Sequence, residues 1–462
     1  MDYISPKFIP VLDKDFRPAS LENRVFLNAV KATGKAVPVI IGIERSNGLI
    51  SRYSTQIFDD TSEMAEANFK YVERLVKSLL WIWGGWKIII GGPSYIGEYI
   101  KKVYSPGGKR EFDADVMSRI YEKQFTVEIT DCEKVQEAKE STKSIGRHQN
   151  GCRIGLDAGG SGLKVSTVIN GEVVHTEKIL WQPKVNSNPD YHYNEILKAL
   201  KSAAACLPRV DAVGVSSAGI FINNRIMISS LFLEVPHELF EKKVRNMFLD
   251  IQEKLGSIPL EVANDGDVTA LAGAMQLNDT RILGISMGTS EAGGYIDSNG
   301  NITGWLNELA FVPVDYNTKA IADEWSGDYG CGVKYLSQDS VIKLASNAGI
   351  VFDEKMTPAT MFRAVQDLLS SGDQRARDIF EAIGIYLGYT IAHYADFYDI
   401  KHVLVLGGVT SEAGGNIILS TARKVLDIEF PELASEISLH LPDESNRGVG
   451  QSITAASLPE IL

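Results

Sequence analysis

The stretch Ile154–Val165, Ile-Gly-Leu-Asp-Ala-Gly-Gly-Ser-Gly-Leu-Lys-Val, limits the possible fold more than any other part of the chain. It reads as a buried strand that ends in one acidic residue, turns on glycines and returns as a second strand. Such a turn suits a phosphate tail with a divalent metal beside it. Glycines let backbone amides approach phosphate oxygens, and Asp157 is placed to hold a hydrated magnesium ion. Alone, a Gly-Gly-Ser-Gly run is as readily a plain tight hairpin. Its weight comes from the pieces that follow it in order.

From Arg153 onward strands alternate with helices. After the hairpin Ile154–Lys178, strands are expected at 212–215, 260–262, 282–287 and 403–406. Helices are expected at 193–205, 238–255, 268–275, 362–369, 376–397 and 452–458. Buried strands alternating with helices mean an α/β fold. Polar or glycine-rich turns end these strands: Ser216-Ser217-Ala218-Gly219, Asn264-Asp265, Gly288-Thr289-Ser290 and Gly407-Gly408. Ligands of open α/β sheets gather outside the carboxyl ends of the strands, so the turns are expected to converge on one cleft.

The 462 residues leave room for about three domains. With 44% hydrophobic and 23% charged residues the chain is able to bury large cores. A net charge of −13 argues against general nucleic-acid or anionic-membrane binding. No unbroken apolar run approaches the ~20 residues of a membrane span, and the first residues lack the pattern of a secretory signal. Cys132, Cys152, Cys206 and Cys331 stand far apart, without metal or redox spacing, which points to a reduced, cytoplasmic setting.

Upstream, Met1 to about Ala36 is polar and proline-spotted and reads as a surface arm. Val37–Ile43 and Leu49–Phe58 flank an Asn47-Gly48 hairpin signal. Glu63–Leu80 carries Met64, Ala67, Tyr71, Leu75 and Leu79 at the spacing of one helix face. Strands at 86–90 and 125–129 follow, and 131–150 reads as a linker. Ile41-Gly42-Ile43-Glu44 overlays Ile154-Gly155-Leu156-Asp157, and Lys87–Gly92 overlays Val403–Gly408. Residues 1–150 are therefore either a degenerate copy of the later pattern or a chance likeness.

The ordered turns resemble those of the ROK family, sugar kinases and regulators within the actin-like ATPase superfamily, from Arg153 to the C-terminus. Asp157-Ala158-Gly159-Gly160-Ser161 is similar to the family's first phosphate motif, with Ser161 where threonine is usual. Lys164 has the charge to reach a phosphate or is simply solvated. Gly214–Gly219 resembles the loop that faces the sugar, with Ala218 where proline is expected. Asn264-Asp265 falls where the family places its base, although either residue could merely cap the following helix, and Asp267 is the alternative carboxylate. Gly288-Thr289-Ser290 resembles the second phosphate motif, and Glu291 within it is a departure. Gly407-Gly408 is similar to the adenosine-side motif, and Gly448-Val449-Gly450 with Ala455-Ala456 to the closing helix that packs on the first lobe. After Gly300, Glu308-Leu309-Ala310-Phe311 keeps the family's glutamate, a sugar contact or a plain surface residue, and loses the Gly-His that follows it. Ser326–Cys331 keeps one cysteine of the usual zinc cluster. One thiol without a partner histidine cannot complete a four-coordinate site, so no zinc is expected.

The resemblance implies a two-lobed actin-like ATPase (ribonuclease H-like) α/β fold with an additional N-terminal α/β domain. The expected division is 1–150 for that domain, 151–266 plus 448–462 for the first lobe and 267–447 for the second. It implies ATP-dependent phosphorylation of a sugar hydroxyl, on a hexose or amino-hexose. Asp265 would be the base, and Asp157 would hold Mg2+ through water. Gly159, Gly160, Ser161, Lys164, Gly288, Thr289, Ser290, Gly407 and Gly408 would bind ATP. Ser216, Ser217, Gly219, Asn264 and Glu308 would orient the sugar. A homodimer with no nucleic-acid or membrane partner is expected. Phe311, Glu291 and the zinc frame leave open a sugar-binding sensor without turnover. A strand-rich acidic N-terminal part is unlike a DNA-reading helix-turn-helix, and a phosphatase or acyl-phosphate kinase remains an alternative on the same scaffold.

Overall fold

The computed structural model describes residues 5–140, 144–160, 162–442 and 450–461. The N-terminal part holds β1 (Val37–Glu44), β2 (Ile50–Ile57), β3 (Lys87–Gly91) and β4 (Thr126–Thr130), with α1 (Ala19–Ala32), α2 (Glu66–Trp83), α3 (Ser94–Val103) and α4 (Glu111–Tyr121). Then come β5 (Cys152–Ala158), β6 (Gly162–Ile169), β7 (Glu172–Leu180), α5 (Pro189–Ala204), β8 (Ala212–Ser217) and the small hairpin of β9 (Ile220–Ile222) and β10 (Arg225–Ile228). A broken helical stretch follows, α6 (His237–Leu239), a wide turn at 240–244 and α7 (Met247–Lys254), then β11 (Leu260–Asn264) and α8 (Asp265–Leu277). The remainder comprises β12 (Ile282–Met287), β13 (Glu291–Ile296), α9 (Gln338–Asn347), α10 (Pro358–Ser370), α11 (Gln374–Tyr394), β14 (His402–Leu406), α12 (Glu412–Glu429), α13 (Pro431–Glu436), β15 (Ser438–His440) and α14 (Gly450–Ala456). Among the described residues no helix is long and apolar enough to cross a membrane.

The described residues fall into two compact units. One combines those of 1–141, 285–293 and 304–441, the other those of 142–284, 294–303 and 442–462. The N-terminal stretch thus packs with most of the expected second lobe, and the expected cut near 266 lies inside one unit.

In the first unit, the N-terminal sheet has the order β2-β1-β3-β4. The β1–β2 hairpin closes where Glu44 faces Ile50, with Asn47 at a φ of 61°, as the Asn-Gly signal predicts. β1 runs antiparallel to β3, whereas β5 runs parallel to β8. Ile41–Glu44 and Ile154–Asp157 therefore sit in differently wired sheets, and their likeness is one of sequence.

The expected surface arm contains α1. Phe26 and Val30 are buried, and the Phe26 ring stacks on Tyr71 of α2 at 4.1 Å between centroids. Pro18 stands immediately before the helix, where its missing N–H costs nothing. α2 is buried on nearly all sides between Tyr71 and Trp83, charged residues included. Arg74 Nη1 and Lys77 Nζ reach Asp328 Oδ2 at 2.7 and 2.6 Å, and Arg110 Nη1 reaches the same oxygen at 2.7 Å. Arg110 also pairs with Glu73, and Arg74 lies over the Tyr329 ring. Burial alone would raise the Asp328 pKa, but the Lys77 ammonium and the Arg74 and Arg110 guanidiniums outweigh it and hold the carboxyl well below the usual range. The stretch Ser326–Cys331, which keeps one cysteine of the family's zinc frame, is clamped through Asp328 to α2 and the start of α4. Cys331 is buried beside this clamp, and burial pushes its thiol up to about 12.

A second contact fixes the same neighbourhood. The last carbonyls of any helix lack intrahelical partners. Those of Trp81, Ile82 and Trp83 accept hydrogen bonds from the amides of Glu308, Asn307 and Leu306 at 2.9–3.3 Å. Phe311 stacks on Trp81 at 4.2 Å.

In the second unit the sheet order is β11-β8-β5-β6-β7. β5, β6 and β7 form an antiparallel meander, while β8 and β11 lie parallel to β5 and to each other. α14 packs on this sheet so closely that a Cβ on Gly155 or Gly214 would stand 1.7 Å from Ser452 O or 1.6 Å from Ala455 O. That is the packing expected of the closing helix; Gly448 and Val449 lie outside the described residues.

Candidate functional site

The sequence-predicted residues form two sets, one in each unit. In the second unit, parallel pairing brings three strand ends to one sheet edge. Asp157 faces Ser216, Ser216 faces Ala263, and Ser217 faces Asn264. The edge therefore collects Asp157, the Ser216–Gly219 loop, Asn264 and Asp265, as the carboxyl-end rule anticipates.

Asp157 is 4% exposed, and Lys164, its cross-strand partner, donates from Nζ to Asp157 Oδ2 at 2.9 Å. Lys164 is thus engaged with the acid rather than simply solvated. The glycine turn is closed by Gly159 N donating to Gly162 O at 3.1 Å, and the Trp181 indole donates to Gly159 O at 2.7 Å. Ser161 lies outside the described residues. Two further lysines flank this turn that the sequence did not single out. Lys178 faces Lys164 across the β6–β7 ladder, and the Lys184 Cε lies 2.9 Å from where a Cβ on Gly160 would stand. The pairing register reveals Lys178, and the close approach to Gly160 reveals Lys184.

Asn264 makes the helix cap itself. Its Oδ1 accepts from Gly266 N at 2.7 Å and its Nδ2 donates to Gly219 O at 2.8 Å, tying the sugar-loop candidate to the start of α8. Asp265 takes a weaker share of the same amide at 3.0 Å. Its main chain is held from below, since Thr269 Oγ1 donates to Asp265 O and Gln451 donates to Thr269 Oγ1. Burial and then the negative charge of Asp157 push the Asp265 carboxyl up to about 6. Asp267, the alternative carboxylate, is buried and accepts from Tyr295 N at 3.3 Å, which turns it toward β13. Ser216 and Ser217 are fully buried at the edge; Ser217 Oγ makes a long contact to Ala158 O at 3.5 Å.

In the first unit, β12 and β14 are sheet neighbours, so the turns that follow them lie side by side. Gly407 has a φ of 102°, and a Cβ there would stand 2.4 Å from Met287 O. Only glycine fits that approach. Thr289, Ser290, Gly407 and Gly408 are exposed, with Phe362 beside Gly408 and Gln366 donating to Gly408 O at 3.3 Å. Phe362 and Gln366 belong to α10 and carry no sequence signal of their own.

Glu291, the charged departure, points into the core. Tyr394 Oη donates to its Oε1 at 3.1 Å, its Oε2 lies against Gly332, and the residue is 2% exposed. Burial pushes its carboxyl up to about 8, so it is neutral at pH 7 and adds no charge to the phosphate turn. Because its folded pKa lies above its unfolded value, the protonated form stabilises the fold. That contribution is complete below about pH 4 and is lost as pH rises through about 8, a span on the order of 4–5 kcal/mol. Glu291→Gln should therefore match the parent in acid and exceed its melting temperature at pH 9. Glu308 is half-buried, with its amide on the α2 terminus.

Comparison with curated protein sequences returned no match. Among solved structures, the chain is similar to a ROK family transcriptional regulator, a homolog of the E. coli MLC protein. That likeness has a TM-score of 0.55 and 17% identity, and covers 67% of this chain and 78% of that one. It is also similar to a ROK hexokinase from Thermus thermophilus, with a TM-score of 0.52 and 17% identity over 66% of this chain and 96% of that one. Both likenesses concern the fold, which is that of the actin-like ATPases. The ROK family model matches residues 153–437, more than half of the chain, and on that match the chain belongs to the ROK family.

Proposed function

We propose that this protein transfers the γ-phosphoryl group of ATP to a hydroxyl of a hexose or amino-hexose. The observation that carries this is Asp265, a half-buried carboxylate at the end of a parallel strand, raised to about 6 beside Asp157. A sugar hydroxyl is a poor nucleophile, and a base that is ionised at pH 7 yet more basic than an ordinary aspartate is suited to take its proton. Asn264 and Gly219, tied to each other, orient the sugar, with Glu308 assigned to its other hydroxyls. Gly159, Gly160, Gly288, Thr289 and Ser290 receive the phosphate tail, and Gly407 and Gly408 the adenosine. Two mutually repelling carboxylates with a single ammonium form a donor set that fits a hydrated divalent cation. Mg2+ at Asp157 would supply charge neutralisation for the phosphates. Lys164, Lys178 and Lys184 add positive charge at the glycine turn.

The ROK relatives include a hexokinase and a transcriptional regulator, so turnover has to be argued from the site. Two departures that favour a silent sensor have packing explanations. Glu291 is neutral and faces the core, and Phe311 stacks on Trp81. ADP formation from Mg-ATP across a panel of hexoses and amino-hexoses tests the proposal. At least one sugar is expected to raise it roughly tenfold or more over sugar-free hydrolysis. If a sugar raises the melting temperature but none raises turnover, the protein is a sensor.

A further inference from the structure

We propose that the N-terminal part of the chain serves sugar binding by holding Glu308 in place, with the last turn of α2 as the positioning element. This rests on the sugar role given to Glu308 above. α2 lies outside the residues that the family model matches, so the device belongs to this chain's own addition.

Glu308 sits in the long connection between β13, which ends at Ile296, and α9, which begins at Gln338. Among the described residues that connection holds no α-helix and no named strand, only two short 3-10 turns. A carboxylate that must meet a hydroxyl to within about 0.5 Å needs firmer support than such a loop gives itself. α2 supplies it. The helix closes with Gly84 N donating to Leu80 O at 2.9 Å, and Gly84 turns away at a φ of 73°. The carbonyls of Trp81, Ile82 and Trp83 are left over. They accept, in register, from Glu308 N at 3.0 Å, Asn307 N at 2.9 Å and Leu306 N at 3.3 Å. Asn307 has a left-handed φ of 52°, is 2% exposed, and accepts from Tyr398 Oη at 2.9 Å. A non-glycine residue keeps that conformation where its surroundings impose it. On the other side of Glu308, Phe311 rests on the Trp81 ring, and the Trp81 indole is fixed by donating to Asp113 of α4 at 3.0 Å. Trp81 is 1% exposed, so its effect on a bound sugar would be indirect.

Glucose, mannose and N-acetylglucosamine, titrated into the full chain by calorimetry, test the assignment, with Mg-ATP titrated in parallel. The parent should bind at least one of the three with a Kd of about 1 mM or tighter, and Glu308→Ala should weaken that sugar roughly tenfold. Trp81→Leu should weaken it by a similar factor and leave the Mg-ATP affinity within about twofold. Trp81→Phe, which keeps a ring under Phe311, should bind the sugar as the parent does. Asn307→Val should behave like Trp81→Leu and Asn307→Gly like the parent, because glycine keeps the left-handed backbone. That pair keeps the test valid if Trp81→Leu does not fold. Combined with Glu308→Ala, neither substitution should weaken the sugar further, since both act through that carboxylate. Three results would overturn the positioning role alone: parental sugar affinity in Trp81→Leu and Asn307→Val, losses that add in full to that of Glu308→Ala, or an equal loss of Mg-ATP binding. No sugar bound by the parent, or no weakening in Glu308→Ala, would remove the sugar role of Glu308 and this inference with it.

Discussion

Asp265→Asn should lower sugar-dependent turnover by roughly 10²–10⁴-fold, the usual contribution of a positioned base, while leaving the protein folded and more stable at neutral pH. The fold should survive because Asn264, not Asp265, makes the main cap of α8, and because Thr269 and Gln451 hold only the Asp265 main chain. The gain in stability follows from the sign of the shift. A carboxyl at about 6 in the folded protein binds its proton more tightly than in the unfolded chain, so stability falls as pH rises from about 4 through about 6. Part of the residue is solvent-accessible, and the cost at neutral pH is up to about 2 kcal/mol. An uncharged asparagine removes it. The parent's rate should fall as pH drops through about 6, because the protonated acid cannot accept the sugar proton. Asp157→Asn should move that acid limb lower by removing the neighbouring charge, whatever it does to metal binding. A parental rate in Asp265→Asn would give the role of base to another group.

The second large effect lies outside the site. Asp328→Asn should destabilise the protein by about 3–5 kcal/mol, the usual result of removing one partner from a buried ion network. Arg74 and Lys77 are fully buried and Arg110 nearly so, and all three converge on this carboxylate. Glu73 and Asp113 alone would then face them. The loss should persist at high salt, since screening acts weakly on buried charge. In the parent the depressed pKa of Asp328 stabilises the fold above about pH 4, and that contribution is lost as pH falls further. Denaturant unfolding at two salt concentrations checks this, and a variant as stable as the parent would show that the clamp contributes nothing.

The part of the molecule that was legible in the sequence is the part where local signals agree with tertiary packing. Strand β12 falls at 282–287 as expected, because an apolar run there meets a glycine turn and is buried in a sheet. The grouping of Asp157, Ser216–Ser217 and Asn264–Asp265 also followed from strand ends and the carboxyl-edge rule. What escaped depends on distant partners. α1 was hidden behind prolines, and its apolar face has meaning only once Tyr71 is opposite Phe26. α12 carries Gly414-Gly415 in its first turn, a pair that local propensity disfavours in a helix. Those glycines are there because Phe380 and Thr410 O press to 2.6 and 2.2 Å of where their Cβ atoms would be. α2 looked like an ordinary amphipathic helix because nothing local announces that Arg74 and Lys77 share Asp328, 254 and 251 positions away. Glu291 and Phe311 looked like damage to a site, but Glu291 is buried against Tyr394 and the half-buried Phe311 stacks on Trp81.

The most direct measurement follows a labelled γ-phosphoryl group from ATP in the presence of the best sugar, with the parent protein and Asp265→Asn side by side. Label recovered in a sugar phosphate, in step with ADP and nearly lost in the variant, is the predicted result. Label recovered only as free phosphate, or passed to the sugar equally fast by both proteins, would contradict it.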